Sequence, residues 1–163
     1  MKSFPSAKKI IGIHPFRSDF ATSVYNAHHL PAKKLPSGIV NAIISDDYNY
    51  LIFGSEKDFS NYDVAKRDNV KLVSCENILH SLCAVKYCSL LIGLDSCFKS
   101  MSSMQRINTA CIIGDFNDPT RDSYFIDKYV ADGVMKVFKT NNESADKEKI
   151  IDFLVSEINK VSS

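Results

Sequence analysis

"SLLIGLDSCFKSMSSM", residues 89–104, begins as an apolar run through Leu94, stops on Asp95, and continues through the small hydroxyl residues Ser96, Ser100, Ser102 and Ser103. A short, unbroken apolar run of this kind is expected of a strand covered on both faces, as in a parallel sheet. The segment that follows, 98–107, has a helical pattern, so the stretch reads as a strand handing the chain directly to a helix.

The same unit recurs along the chain. "KKIIGIH" (8–14), "YLIFGS" (50–55), "VKLVS" (70–74), "TACIIGD" (109–115) and "VMKVFK" (134–139) read as further strands. Residues 36–46, 59–66 and 76–86 are helix candidates between them, and the connections are too long for hairpins. A last helix is expected over about residues 144–163, with Ser144 as N-cap and Ile150, Ile151, Leu154, Val155, Ile158 and Val161 sharing one face. This alternation predicts an α/β fold: a doubly wound, mainly parallel sheet of about six strands with helices on both faces, filling one domain over 1–163. The chain shows no internal repeat and no low-complexity linker; residues 15–35 and 115–133 are two long stretches without regular pattern.

Charge excludes some partners. Lys and Arg number 20 against 19 Asp and Glu, and a net charge of +1 gives no broad field for nucleic acid or an anionic membrane. Any anion site must be local. The five cysteines form no CxxC pair, several sit in apolar runs, and no Cys/His spacing suits zinc, so reduced thiols and no metal are expected. "MKSFPSAKK" lacks the apolar core of a signal peptide, and no segment reaches the ~20 apolar residues of a transmembrane helix; a cytoplasmic location is the expectation.

In an open parallel sheet, ligands bind beyond the carboxyl ends of the strands. That directs attention to His14–Asp19, Gly54–Asp58, Ser74–Glu76, Asp95–Ser100 and Gly114–Arg121. At 95–100 the strand-to-helix passage would aim backbone N–H groups near Cys97 and Phe98 outward, with the positive end of the helix dipole behind them, as a phosphate cradle requires. The same residues also fit a simple N-cap by Asp95 or Ser96. The loop "HPFRSDF…PAKKLPSGIVNAI" carries Arg17, Lys33 and Lys34 ahead of a helix near Pro36. Cations there suit a diphosphate, or form a solvated pair. His14 reads as a hydrogen-bonding core or loop residue rather than a catalyst, and His28 and His29 as loop residues.

In order and spacing these pieces resemble the C-terminal, nucleotide-sugar-binding half of a GT-B glycosyltransferase, and most of all the heptosyltransferase family, which uses ADP-activated sugars. "IGIHP" resembles the first strand of that half. "AKKLP" resembles its Lys-x-Trp-Pro element, with Leu35 at the aromatic position. "YNYLIFGSEKD" resembles the next strand and its Gly-containing turn near the base. "ENILHSLCAVKYCSLLIGLDS" leads into the family's Asp-Ser-Gly-x-x-His motif, and "TACIIGDFNDP" resembles the strand after it. The motif reads Asp95-Ser96-Cys97-Phe98-Lys99-Ser100 in this chain, with Cys97 in place of the glycine and Ser100 in place of the histidine.

The likeness spans roughly residues 9–121. It implies a nucleoside-diphosphate sugar donor held by Arg17, Lys33, Gly54, Ser55, Asp95, Ser96, Cys97 and Ser100, no cofactor, and transfer only with an acceptor domain supplied elsewhere. The catalytic residues stay unassigned, because in such enzymes acceptor and general base come from the facing domain. A catalytically inactive nucleotide-sugar-binding or regulatory module is the alternative, which the loss of the glycine and histidine favours. A phosphoacceptor receiver domain needs an acidic pair after its first strand, and "GIHPFR" has none.

Overall fold

A computed structural model of the chain describes residues 4, 7–16, 34–74, 77–94, 96–113, 128–140 and 142–162. The described residues form strands β1 (Ile10–His14), β2 (Asn49–Gly54), β3 (Val70–Ser74), β4 (Leu90–Leu94), β5 (Asn108–Ile113) and β6 (Met135–Lys139). The helices are α1 (Ser37–Ile43), α2 (Glu56–Phe59), α3 (Ile78–Val85), α4 (Cys97–Met104) and α5 (Lys147–Ser162). All six strands pair parallel in the order β3-β2-β1-β4-β5-β6. The expected strands are therefore present, within a residue or two at each end.

The apolar runs are continuous because both faces of the sheet are covered. On one face Ile11, Ile13, Ile52 and Ile92 pack beneath α1 (Ile39, Val40, Ile43) and α5 (Ile150, Leu154, Ile158). On the other, Leu51, Phe53, Val73 and Leu91 pack against Val85 of α3 and Phe98 of α4. Every residue of β2 and of β4 is buried. The hydrophobic effect, at roughly 25 cal/mol per Å² of apolar surface removed from water, makes this two-sided burial the main stabilising contribution.

Helix boundaries depart from expectation in ways that trace to single hydrogen bonds. The segment 36–46 is helical only over α1, because the Ser45 N–H donates to Tyr50 Oη at 3.1 Å instead of continuing the helix. No helix runs over 59–66. Instead α2 starts at once after β2: Ser55 Oγ accepts from the Asp58 N–H at 3.2 Å and Asp58 Oδ2 accepts from the Ser55 N–H at 2.8 Å, closing a capping box. It ends after one turn, and Tyr62 is drawn inward to donate to Leu35 O at 2.7 Å. The C-terminal helix begins at Lys147, not Ser144: Asn142 Oδ1 accepts from the Ala145 N–H at 3.0 Å, holding 142–146 as a turn. Of its predicted apolar face, Ile150, Leu154 and Ile158 are buried while Ile151, Val155 and Val161 are partly so. Within the irregular stretch 115–133, residues 128–131 are helical.

Tyr50 gives a test of these connections. Its fully buried hydroxyl donates to Ile43 O at 3.1 Å while accepting from Ser45 N–H. Tyr50→Phe removes the partner of two main-chain groups at the α1–β2 junction and should destabilise the fold by about 1–3 kcal/mol. Urea unfolding followed by circular dichroism measures it; a change within error would show that water replaces the hydroxyl.

Candidate functional site

Between β1 and β4 the strand order changes direction, since β2 and β3 lie to one side of β1 while β4, β5 and β6 run the other way. Crevices at such a switch point receive ligands in doubly wound sheets. Two segments meet there. His14 ends β1, and the chain leaving β4 reaches Ser96 and Cys97 at the head of α4.

Ser96 occupies the N-cap position of α4 in extended conformation (φ −145°, ψ 172°), yet its side chain makes no capping hydrogen bond. Its Oγ lies 3.1 Å from His14 Nδ1. The imidazole is stacked on Phe98 with ring centroids 4.0 Å apart and 12° between planes, and it meets Phe16 edge-on at 6.3 Å. Gly93 pairs with His14 across β1 and β4; a Cβ on Gly93 would stand 3.0 Å from the His14 carbonyl oxygen. The glycine therefore permits the close approach of the two strands' ends at this point. Burial lowers the His14 pKa to about 4, with the Asp58 charge opposing it, so the ring is neutral near pH 7.

Ser96 stands at the N-cap position of α4 while Cys97 and Ser100 lie in its first turn, with the Cys97 side chain exposed and Ser100 half-buried. The other serines of the run have different work. Ser102 Oγ lies 2.9 Å from Lys99 O and 2.8 Å from Thr109 Oγ1, inside the α4–β5 contact, and Ser103 is fully buried beside it. They are small buried residues that let α4 approach the sheet rather than hydroxyls open to a ligand.

Gly54 and Ser55 stand at the end of β2. A Cβ on Gly54 would come within 2.6 Å of Phe16 Cε2, so the glycine makes room for the Phe16 ring, and the Ser55 hydroxyl is engaged in the α2 capping box. Phe16 pairs in an antiparallel bridge with Lys34, and the Leu35 N–H donates to Pro15 O at 2.8 Å. Both ends of the basic loop are thereby fixed at the carboxyl end of β1. Lys34 itself is directed to Asn61 O (3.4 Å) and lies 6.0 Å from the Tyr62 ring centroid. Arg17, Lys33 and Asp95 lie outside the described residues, as do His28, His29 and Gly114–Arg121.

Sequence reasoning placed His14 at a strand end but not against Ser96. The available signal was positional: both residues follow apolar runs whose strands flank the switch point. Among the described residues no group of three or more His, Cys, Asp or Glu side chains is placed to hold a metal ion, and no helix is long and apolar enough to cross a membrane.

Together the sheet order and the covering helices define a Rossmann-like α/β fold, the architecture of one half of a GT-B glycosyltransferase. Among solved structures the chain is similar to that of E. coli ADP-heptose LPS heptosyltransferase II, with a TM-score of 0.61 and 15% sequence identity over 96% of this chain and 47% of that one. The chain therefore spans about half the length of that protein. No protein-family model and no curated protein sequence matches the chain.

Proposed function

We propose that the chain is a glycosyltransferase-like domain that binds a nucleoside-diphosphate sugar at the carboxyl ends of β1 and β4, and that transfer requires an acceptor domain which these residues do not supply. The observation that carries this reading is the β4–α4 turn at the switch point, where the N-cap hydroxyl is turned away from its helix. The first N–H groups of α4 then lack the Ser96 cap, and an anion is a suitable partner for such groups. Arg17 and Lys33, on the loop whose ends are fixed beside this turn, are the cations proposed to meet the diphosphate. Gly54 and Ser55 are proposed to border the base, with Asp95, Ser96, Cys97 and Ser100 around the phosphates.

Transfer needs a base within hydrogen-bond reach of the acceptor hydroxyl and an acceptor held against the donor carbon. In the resembling enzymes both come from the facing domain. A second reading, a binding module without catalysis, is favoured by Cys97 and Ser100: the thiol narrows the closest backbone approach, and a serine hydroxyl cannot bring positive charge to a leaving diphosphate.

Thermal-shift screening against ADP-, UDP- and GDP-sugars tests binding; a donor at 100 times its Kd should stabilise the fold by about 2.7 kcal/mol. Released nucleoside diphosphate is then measured for the chain alone and with a separately expressed acceptor-domain protein. Binding without turnover by the chain alone is the expected result. Acceptor-dependent turnover by these 163 residues alone would require a complete active site within them and would overturn the reading.

A further inference from the structure

We propose that His14 is a positioning residue for the donor site: its Nδ1–H donates to Ser96 Oγ, which holds that side chain off the α4 cap and leaves the hydroxyl hydrogen free to point at a diphosphate oxygen. The inference rests on the nucleotide-binding reading above and assigns one of its hydrogen bonds to a defined donor.

A serine at an N-cap ordinarily accepts from the N–H of the second or third helical residue. Ser96 has the position and the extended backbone for this, but no such bond forms, and its Oγ is 3.1 Å from His14 Nδ1 instead. The His14 ring is not free to move away. It is 8% exposed, lies flat on Phe98 of the same helix, and is edge-on to Phe16.

A neutral imidazole carries one N–H and one bare nitrogen, and heavy-atom positions alone fit either tautomer. If Nδ1 were bare, Ser96 would spend its hydrogen on His14 and face the crevice with lone pairs only, which repel phosphate oxygens. With the hydrogen on Nδ1, the ring donates to Ser96, and Ser96 in turn donates outward. Only the second arrangement suits an anionic ligand. It also places the interaction across the two strands that flank the switch point, so that donor binding is coupled to the β1–β4 register.

The wild-type chain supplies the first test. Long-range 1H–15N NMR of the 15N-labelled protein should show His14 Nδ1 protonated and Nε2 bare; the opposite pattern would overturn the inference without any variant. Calorimetry with ADP, UDP and GDP then identifies the tightest nucleoside diphosphate, and its nucleoside serves as control. His14→Phe, which keeps an aromatic ring over Phe98 but removes the N–H, should weaken the diphosphate about tenfold and leave the nucleoside unchanged. Ser96→Ala should do the same, and the double variant should be no worse than either single one. His14→Asn, with a short amide N–H, should recover most of the affinity. Equal losses for nucleoside and diphosphate, or additive losses in the double variant, would reduce His14 to a packing residue and overturn the inference while the nucleotide-binding reading stands. If none of the three diphosphates binds the wild type, both fall together.

Discussion

Phe98→Ala should destabilise the fold by about 3–5 kcal/mol, the usual cost of truncating a buried aromatic residue. Phe98 is 2% exposed at the first turn of α4 and sits between two rings, with the His14 centroid at 4.0 Å and the Phe53 centroid at 5.2 Å. Truncation opens a cavity under α4 and removes the surface on which His14 lies flat. Aromatic pairs of this kind add about 0.5–1.5 kcal/mol beyond area burial. Phe98→Leu keeps most of the volume and should cost less than about 1.5 kcal/mol. Guanidinium unfolding of both variants gives the comparison. Equal effects of Ala and Leu would mean that ring stacking, rather than filled volume, holds α4 to the sheet.

Acidification from pH 7 to pH 4 should remove about 3 kcal/mol of stability through His14 alone. Burial lowers its folded pKa from the ordinary 6.5 to about 4, so between these values the unfolded chain takes up a proton that the folded chain refuses. The full contribution is present above pH 6.5 and drains away as pH falls through this window. Asp58 opposes the shift, which limits the loss. Asp146 acts in a separate range: hydrogen bonds from Lys149 and then Thr140 hold its carboxyl below the usual carboxylate value, so what it contributes is lost only at lower pH. Urea midpoints measured at half-unit pH steps should therefore fall first between pH 6.5 and 4, and His14→Phe should flatten that part of the curve. A wild-type curve flat over the window would show that water reaches the imidazole in the folded state.

The inner strands β1, β2, β4 and β5 were legible in the sequence because each is a short apolar run with both faces covered, and a pattern of that kind depends on nothing distant; the edge strands β3 and β6 are only partly buried and include lysines. Helix starts were less legible because single side chains decide them. Ser55 and Asp58 close a capping box directly after β2, which cuts short the helix expected over 59–66, and Asn142 rather than Ser144 organises the entry to α5. The turn at Ser96, Cys97 and Ser100 could be located because it follows an apolar run, but the partner of Ser96 could not be. His14 and Ser96 are neighbours only because β1 and β4 are adjacent in the sheet, and adjacency of strands so far apart in sequence leaves no local trace. Gly54 carried a second constraint that the sequence did not show: the last residue of β2 must lack a Cβ to admit the Phe16 ring, which comes from the end of another strand.

The central place of β1 has a cost in time. Ile11 pairs on one side with Tyr50 and on the other with Leu90, so β1 must wait until β4 has been made, long after its own synthesis, before its second edge is satisfied. Loop-closure entropy must be met before such distant pairings are rewarded, which makes parallel sheets slow to form and leaves a bare apolar edge exposed meanwhile. On a ribosome, β1, β2 and β3 can assemble as an incomplete three-stranded sheet whose open side is Ile10–His14, the edge that β4 later covers. That edge is where a stalled or truncated nascent chain would pair with its neighbour, so the strand that ends on His14 is also the one whose edge stays open longest during synthesis.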